Sequence, residues 1–142
     1  MQVSQLMNTN VVSVTPGETA TLAARLLNRH NIGALPVCGV DGRLKGILTD
    51  RDIVLRCVAA ENDPDTTTVG DIMSRGVISV SPDDDVCEAA RIMAGDQVRR
   101  LPVTQDGRVV GMLSLGDMAR RREFDMEAAK ALSDISSNIK RI

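Results

Sequence analysis

Residues 32–52 read IGALPVCGVDGRLKGILTDRD, and residues 98–117 read VRRLPVTQDGRVVGMLSLGD. Each stretch holds two short apolar runs joined by an Asp-Gly pair, Asp41-Gly42 or Asp106-Gly107, a strong local signal for a hairpin turn. The second run of each, Leu44–Leu48 or Val109–Leu113, passes directly into a hydroxyl residue followed three positions later by an acid: Thr49 and Asp52, Ser114 and Asp117. That spacing opens a helix. Two β-strands and a helix are therefore written twice.

The repetition extends outward on both sides. Met7 and Met73, Pro16 and Pro82, and Pro36 and Pro102 are each 66 positions apart; Gly46 and Gly111, and Asp52 and Asp117, are 65 apart. One extra residue near Gly39 and Val40 in the first turn accounts for the change. Val11–Pro16 reads VVSVTP and Val77–Pro82 reads VISVSP, so a Val- and Ile-rich strand is expected at Val11–Val14 and Val77–Val80, ended by a proline. Glu18 and Thr19, or Asp83 to Asp85, then open a helix with capping and acidic residues. Ala20, Ala23, Ala24 and Leu27 share one face of the first helix, and Val86, Ala89, Ala90 and Met93 share the matching face of the second. The order is β-α-β-β-α, twice, and the fold class is mixed α/β of the α+β type. A single three-stranded sheet with helices on one side leaves an apolar face bare, which a second copy can cover. The chain divides into residues 1–60 (first repeat), 61–68 (a polar, Pro-containing linker), 69–122 (second repeat) and 123–142 (a tail). In the tail, Ala128, Leu132, Ile135 and Ile139 form a helical stripe, so an amphipathic helix is expected to pack on the body or on another subunit.

Composition excludes several functions. The formal net charge is −2, which offers no electrostatic footprint for nucleic acid. The only aromatic residue is one Phe, so stacking platforms for bases are absent. No apolar run approaches the ~20 residues of a membrane span, and MQVSQLMNTN lacks the pattern of a secretory signal. Cytoplasmic residence follows as the default. Cys38, Cys57 and Cys87 are odd in number and lack a CxxC spacing, so neither a disulfide framework nor a zinc site is expected. His30 reads as a helix C-terminal residue, Arg120 to Arg122 as a basic helix end, and the seven methionines as core filler rather than a metal set. No His-paired nucleophile, Walker loop or metal constellation is visible, which points away from an enzyme and from a catalytic or metal site.

The repeated pattern of Gly, two apolar residues, a hydroxyl, two variable residues and Asp carries whatever chemistry the chain has. A hydroxyl and backbone N–H groups at a helix start favour an anion. An Asp one turn on can accept bonds from vicinal ribose hydroxyls, as the acidic residue of a dinucleotide fold does. Gly46 or Gly111 leaves room for a close backbone approach. The alternative is that Thr49-x-x-Asp52 and Ser114-x-x-Asp117 are capping boxes that only finish a helix start.

The paired lead-ins at Val3–Met7 and Val69–Met73, with VVSVTP and VISVSP, IGALPV and VRRLPV, and GILTDRD and GMLSLGD, resemble tandem CBS domains (cystathionine-β-synthase-type repeats) over about residues 3–122. The stretch IGALPVCGVDGRLKGILTDRD is especially similar to small bacterial proteins made of two such domains. The resemblance implies two repeats packed with pseudo-two-fold symmetry, adenosine-containing ligands such as AMP, ADP or ATP in the clefts between them, and a homodimer. On that resemblance Asp52 and Asp117 hold ribose, and Thr49 and Ser114 hold ribose or phosphate. Val11, Val12, Ile32 and Pro36, with Val77, Ile78, Val98 and Pro102, line the adenine slots. The two sites differ: Arg51 lies beside the first motif where the second has Gly116, and Arg99-Arg100 precede the second LPV where the first has Gly33-Ala34. Arg51 and Arg100 are candidate phosphate ligands, since guanidinium matches phosphate geometry; Arg100 also reads as a solvated strand-edge residue. The expected function is a non-enzymatic regulatory module that needs no cofactor and reports an adenosine ligand to an unknown protein effector. The competing expectation is a structural dimerisation module without a functional ligand site.

Overall fold

The computed structural model describes residues 1–137. The chain divides into two compact units. One contains residues 12–77 with 107–109; the other contains residues 1–11, 78–106 and the chain from 110 onward.

In the first unit, helix α1 (Ala20–His30) starts where Thr19 Oγ1 accepts from Leu22 N–H at 3.2 Å. It ends at Asn31, whose φ of 52° is the left-handed conformation that Asn tolerates. His30 is thus the last helical residue. Strands β1 (Ala34–Cys38) and β2 (Leu44–Thr49) pair antiparallel with Leu35 opposite Leu48. Helix α2 (Asp50–Ile53) follows without a gap and continues as a π-helical turn, Val54–Val58. The polar stretch before helix α3 (Val69–Ile72) folds against the start of α1, with Ala20 N–H donating to Thr67 O at 2.9 Å and Thr21 N–H to Pro64 O at 3.1 Å. Val14, Ala23, Leu35, Val37, Leu48 and Cys57 form the centre of this unit's core.

The second unit repeats the plan. Helix α4 (Val86–Asp96) is capped by Asp85, whose Oδ1 accepts from Cys87 N–H at 2.7 Å. Strands β3 (Arg100–Gln105) and β4 (Arg108–Ser114) form the second two-stranded sheet, and helix α5 (Leu115–Ala119) starts where β4 stops. A 3-10 turn leads to helix α6 (Asp125–Ser136). Met93, Leu101, Leu113 and Met118 are fully buried here.

The two hairpin turns differ as the extra residue requires. Asp106 and Gly107 have φ of 54° and 80°, the two positive values of a tight type I′ turn. In the first repeat Gly42 N–H bonds back to Gly39 O at 3.0 Å and Gly42 alone takes a positive φ, 83°, the pattern of a longer turn closed by a left-handed glycine.

Three expectations change. The strands expected at Val11–Val14 and Val77–Val80 shrink to one parallel bridge each, Val14 to Val37 and Val80 to Val103. The reason lies in the LPV runs. Val14 N–H donates to Pro36 O at 3.1 Å and Cys38 N–H donates to Val14 O at 2.8 Å. Continuing that parallel ladder toward Val12 would need a donor on Pro36, which has no N–H. Pro102 ends the second ladder in the same way before Ile78, beyond the bonds of Val80 N–H to Pro102 O and Thr104 N–H to Val80 O.

The glycine before each helix motif serves a contact within the chain rather than an open approach. A Cβ on Gly46 would lie 2.6 Å from Ser74 O and 2.9 Å from Met73 S; one on Gly111 would lie 2.6 Å from Met7 S. The repeated Met and the repeated Gly are therefore partners.

The tail helix forms, but rotated from the expected stripe. Ala128, Ala131 and Ile135 are its buried residues, while Leu132 is 46% exposed and Ile139 lies outside the described residues. The helix packs against α4 and α5 of the same chain.

Candidate functional site: the two strand-to-helix junctions

At the first junction the end of β2 holds Thr49 in extended backbone and the chain turns at once into α2. Asp52 N–H donates to Thr49 Oγ1 at 3.1 Å, and Thr49 N–H donates to Asp52 Oδ2 at 2.9 Å. The second junction repeats this with the same distances: Asp117 N–H to Ser114 Oγ at 3.1 Å and Ser114 N–H to Asp117 Oδ2 at 2.9 Å. Both motifs are reciprocal capping boxes. Each carboxylate keeps its other oxygen out of the cap. Asp52 Oδ1 faces Arg56 Nη1 at 3.9 Å, and Asp117 Oδ1 faces Arg120 Nη1 at 3.7 Å. Arg56 is itself anchored, donating from Nη1 to Ile72 O at 3.0 Å.

The helix starts are less open than the sequence suggests. Asp50 N–H donates to Gly33 O at 3.1 Å, and Arg51 N–H donates to Asp50 Oδ1 at 2.8 Å. With Asp52 N–H on Thr49, the first three donors of α2 are engaged. At α5, Leu115 N–H donates to Arg99 O at 2.8 Å and Asp117 N–H to Ser114, while Gly116 takes no part in these bonds. Short helices at the end of a strand satisfy their orphan donors locally.

Of the other predicted residues, Val12, Ile32, Pro36 and Arg51 lie in the unit of the first junction; Pro36 is buried, Val12 and Ile32 are half-buried and Arg51 is exposed. Ile78, Val98, Arg100 and Pro102 lie in the unit of the second junction; Pro102 is buried and Arg100 half-buried, while Ile78 and Val98 are exposed. The division falls between Val11 and Val12 and between Val77 and Ile78, so Val11 and Val77 each belong to the unit opposite their neighbour's.

The second unit contains a cleft of about 640 Å³, within the usual size of small-molecule sites. Arg100 and Ser114 line it together with Arg99, Arg120 and residues of α5, and α6 supplies the other wall. Ile78, Val98, Pro102 and Asp117 do not line it. The contribution of α6 escaped the sequence reading; its signal was the small pair Ala128-Ala129 before Leu132.

The cysteines are free, Cys38 and Cys57 buried and Cys87 half-buried. Burial pushes the Cys38 thiol above its ordinary value, against a smaller opposing effect of a Ser13 hydrogen bond. Burial also raises Cys87, helped by the Glu127 and Asp85 carboxylates. Among the described residues no group of three His, Cys, Asp or Glu could hold a metal ion, and no helix is long and apolar enough to cross a membrane.

The duplicated junction, with its hydroxyl, its Asp and its proline-interrupted ladder, is matched by the CBS domain family at residues 3–58 and 69–123. The chain belongs to the CBS-domain family. Among its relatives, the CBS domain-containing protein YhcV of Bacillus subtilis is 41% identical over 134 residues, covering 94% of each chain. Hypoxic response protein 1 of Mycobacterium tuberculosis is 44% identical over 115 residues, 81% of this chain and 80% of that one. A crystal structure of the CBS domain pair of protein MJ0100, in complex with 5′-methylthioadenosine and S-adenosyl-L-methionine, aligns with a TM-score of 0.76 and 30% identity, covering 84% of this chain and 94% of the other. The resemblance read from the repeats is thus the family to which the chain belongs, and the CBS pair is a regulatory module.

Proposed function

We propose that this chain is a non-enzymatic sensor, resident in the cytoplasm, that binds an adenosine-containing molecule such as AMP, ADP or ATP and reports its presence to a protein effector. Thr49 and Asp52, and Ser114 and Asp117, hold ribose or phosphate. Val11, Val12, Ile32 and Pro36, and Val77, Ile78, Val98 and Pro102, receive the adenine; Arg51 and Arg100 face phosphate. The observation that carries this reading is the oxygen of each capping aspartate that the cap leaves out. The cap fixes Oδ2 on a backbone N–H at 2.9 Å, so the carboxylate is aimed and cannot rotate away. Among the described residues Oδ1 is engaged only by an ion pair too long for a hydrogen bond, 3.9 Å or 3.7 Å. An oxygen held in that way is preorganised to accept from ribose hydroxyls. The interrupted ladders add backbone groups at Val12 and Ile78 that no strand partner uses among the described residues, suited to an adenine edge. The adenosine ligands of the MJ0100 pair give the same ligand class in a protein of the same fold.

Calorimetry against AMP, ADP, ATP, S-adenosylmethionine and NAD tests the reading, with Asp52→Asn and Asp117→Asn beside the alanine variants. Asn retains an oxygen for the cap but loses the charge. The expected result is near-wild-type melting with affinity reduced about tenfold to a hundredfold, because a hydrogen bond to a charged group contributes about 1.5–3 kcal/mol. Lower melting of both alanine variants with unchanged affinity would leave the aspartates as caps alone and sink the proposal.

One observation favours the second reading, a dimerisation module. Val54, Leu55 and Val58, on the helix that follows Thr49, are 54%, 48% and 61% exposed, an apolar patch suited to a second copy. A homodimer is part of both readings, and light scattering with Val58→Glu checks it; a wild-type monomer at micromolar concentration would remove it.

A further inference from the structure

At the first junction one guanidinium meets two different parts of the chain. Arg56 Nη1 donates to Ile72 O at 3.0 Å and to Met73 O at 3.2 Å, and the same nitrogen stands 3.9 Å from Asp52 Oδ1. Ile72 ends α3 and Met73 is its C-cap, so both acceptors are carbonyls that a helix end leaves without an intrahelical partner, and a cation there also suits the helix dipole. Nη1 carries two hydrogens. With both carbonyls in place the two are taken. Asp52 then feels the charge of Arg56 without losing Oδ1 to it, since 3.9 Å is too long for a hydrogen bond. One residue further on the ring of contacts closes. Ser74 N–H donates to Ile47 O at 2.9 Å and Ile47 N–H to Ser74 O at 3.0 Å, on the strand that delivers Thr49 to its cap with Asp52. All of these residues lie in the first unit.

The second junction keeps the bridge and lacks the strap. Asn8 and Met112 exchange the same pair of backbone bonds, at 2.8 Å and 2.9 Å. Arg121 stands in sequence where Arg56 does, but it pairs with Glu123 at 3.6 Å. Arg120 faces Asp117 with its side chain 81% exposed. Among the described residues neither arginine is hydrogen-bonded to a carbonyl near Met7.

We propose that Arg56 is a positioning residue of the first site, which leaves Asp52 Oδ1 open to a ligand only while α3 is docked. When α3 lifts, Nη1 loses both carbonyls, and the acceptor that remains beside it is Asp52 Oδ1, four residues back in the chain. Closing the remaining gap of about 1 Å makes a charge-assisted hydrogen bond and consumes the oxygen that a ribose hydroxyl would use. Docked and lifted α3 therefore differ in affinity for the ligand, and by linkage a bound ligand favours docked α3 to the same degree. A four-residue helix does not hold itself without packing, so the docking of α3 is an equilibrium that such a bias moves. The inference rests on the adenosine reading above. It adds that the first site is coupled to α3, whereas the second has no such coupling to its own lead-in.

The test uses the full chain with ATP, AMP and S-adenosylmethionine as probes, in the Asp117→Asn background so that the first site dominates. Hydrogen exchange of residues 69–75 is measured with and without saturating probe. Calorimetry compares the parent, Ser74→Pro, Arg56→Ala and Ser74→Pro/Arg56→Ala. Met73 already has the extended backbone, φ −67° and ψ 157°, of a residue before proline, so Ser74→Pro removes a bridge bond without straining that residue. A probe that binds is expected to slow exchange in α3. Ser74→Pro is expected to weaken that probe about fivefold or more, and adding Arg56→Ala to recover most of the loss, because the arginine can no longer cover Asp52. An arginine with a merely structural role gives the opposite sign: the double variant binds more weakly than Ser74→Pro, which overturns the proposal. A probe that binds while α3 exchange is indifferent to it also overturns the proposal and leaves the adenosine sensor standing. If Ser74→Pro does not fold, Arg56→Ala decides, since that side chain is 51% exposed. Its α3 exchange is expected to be indifferent to bound probe, and slowing as large as in the parent overturns the coupling. Binding of none of the probes to the wild-type chain sinks the adenosine reading and the coupling with it.

Discussion

The two motif glycines make the same kind of contact but should not tolerate alanine equally. At Gly46 the added Cβ would meet a backbone oxygen, Ser74 O, at 2.6 Å, as well as Met73 S at 2.9 Å. Ser74 cannot yield freely, because Ile47 N–H donates to Ser74 O at 3.0 Å and Ser74 N–H donates to Ile47 O at 2.9 Å. At Gly111 the shortest contact is Met7 S at 2.6 Å, on an unbranched side chain with other rotamers, and the nearest backbone atom, Asn8 O, is 3.2 Å away. Overpacking in a fixed environment costs about 1–3 kcal/mol. Gly46→Ala should fall at or above the top of that range, since relief requires breaking the bridge, with about 0.5–1.5 kcal/mol for each net hydrogen bond lost. Gly111→Ala should cost about 1 kcal/mol. Urea denaturation of the two variants, together with Gly111→Ala/Met7→Ala and Gly46→Ala/Met73→Ala, gives two double-mutant cycles. Removing Met7 should recover most of the Gly111 penalty; removing Met73 should recover little of the Gly46 penalty. Equal penalties, or full rescue of Gly46→Ala by Met73→Ala, would show that side-chain sulfur and not the backbone bridge sets the constraint, and would refute the reasoning.

Other outcomes follow from single contacts. Asp85→Ala should cost about 1 kcal/mol, the usual loss of an N-cap, and Asp85→Ser much less; thermal melting decides. Iodoacetamide should label half-buried Cys87 before Cys38 and Cys57, read by mass spectrometry, and faster in Asp85→Ala, because the Asp85 carboxylate adds to the burial that holds this thiol up. Burial keeps Cys38 protonated in the fold at pH values where the unfolded chain ionises it. Its contribution is therefore complete below the ordinary thiol value of 9.0 and declines as pH rises past it, so Cys38→Ala should flatten the fall of unfolding free energy on the alkaline side.

Features written in a few adjacent residues were legible in the sequence. Asp106-Gly107 specifies its turn, Thr19 and Asp85 their helix starts, and Thr49 with Asp52 the junction between strand and helix. Features that depend on distant partners were not. The glycines looked like room for a ligand because nothing local says that Met73 and Met7 fill the space. The short parallel bridges could have been read, since Pro36 and Pro102 stand where the ladder needs a donor, but only with knowledge of which strand pairs beside them. The tail stripe chose Leu132 over Ala131 on hydrophobicity. Packing reverses the choice: α6 packs on α4 with Ala131 buried in the same core cluster as Ala90, and Leu132 is left lining the cleft.

The differences between the repeats then bear on how the molecule divides its work. Up to Thr49 and Ser114 the two copies run in parallel, with the same cap distances at each junction. After the junction they separate. In the first copy the helix runs on through a π-helical turn to Val58 and presents Val54, Leu55 and Val58 to solvent. In the second copy the helix stops at Ala119, the chain turns through Arg120 to Arg122, and α6 returns across the face of its own repeat. The return packs α6 on α4 and α5 and gives the second unit a cleft lined by residues of α6 together with Arg99 and Arg100. A duplicated unit with equal caps and unequal helices is thus suited to two tasks at once. On the proposed reading, the first copy offers its exposed Val54, Leu55 and Val58 to a second chain, while the second copy carries a cleft walled in part by α6. Val58→Glu should therefore weaken self-association, read by light scattering, while leaving the calorimetric affinity for AMP, ADP or ATP unchanged.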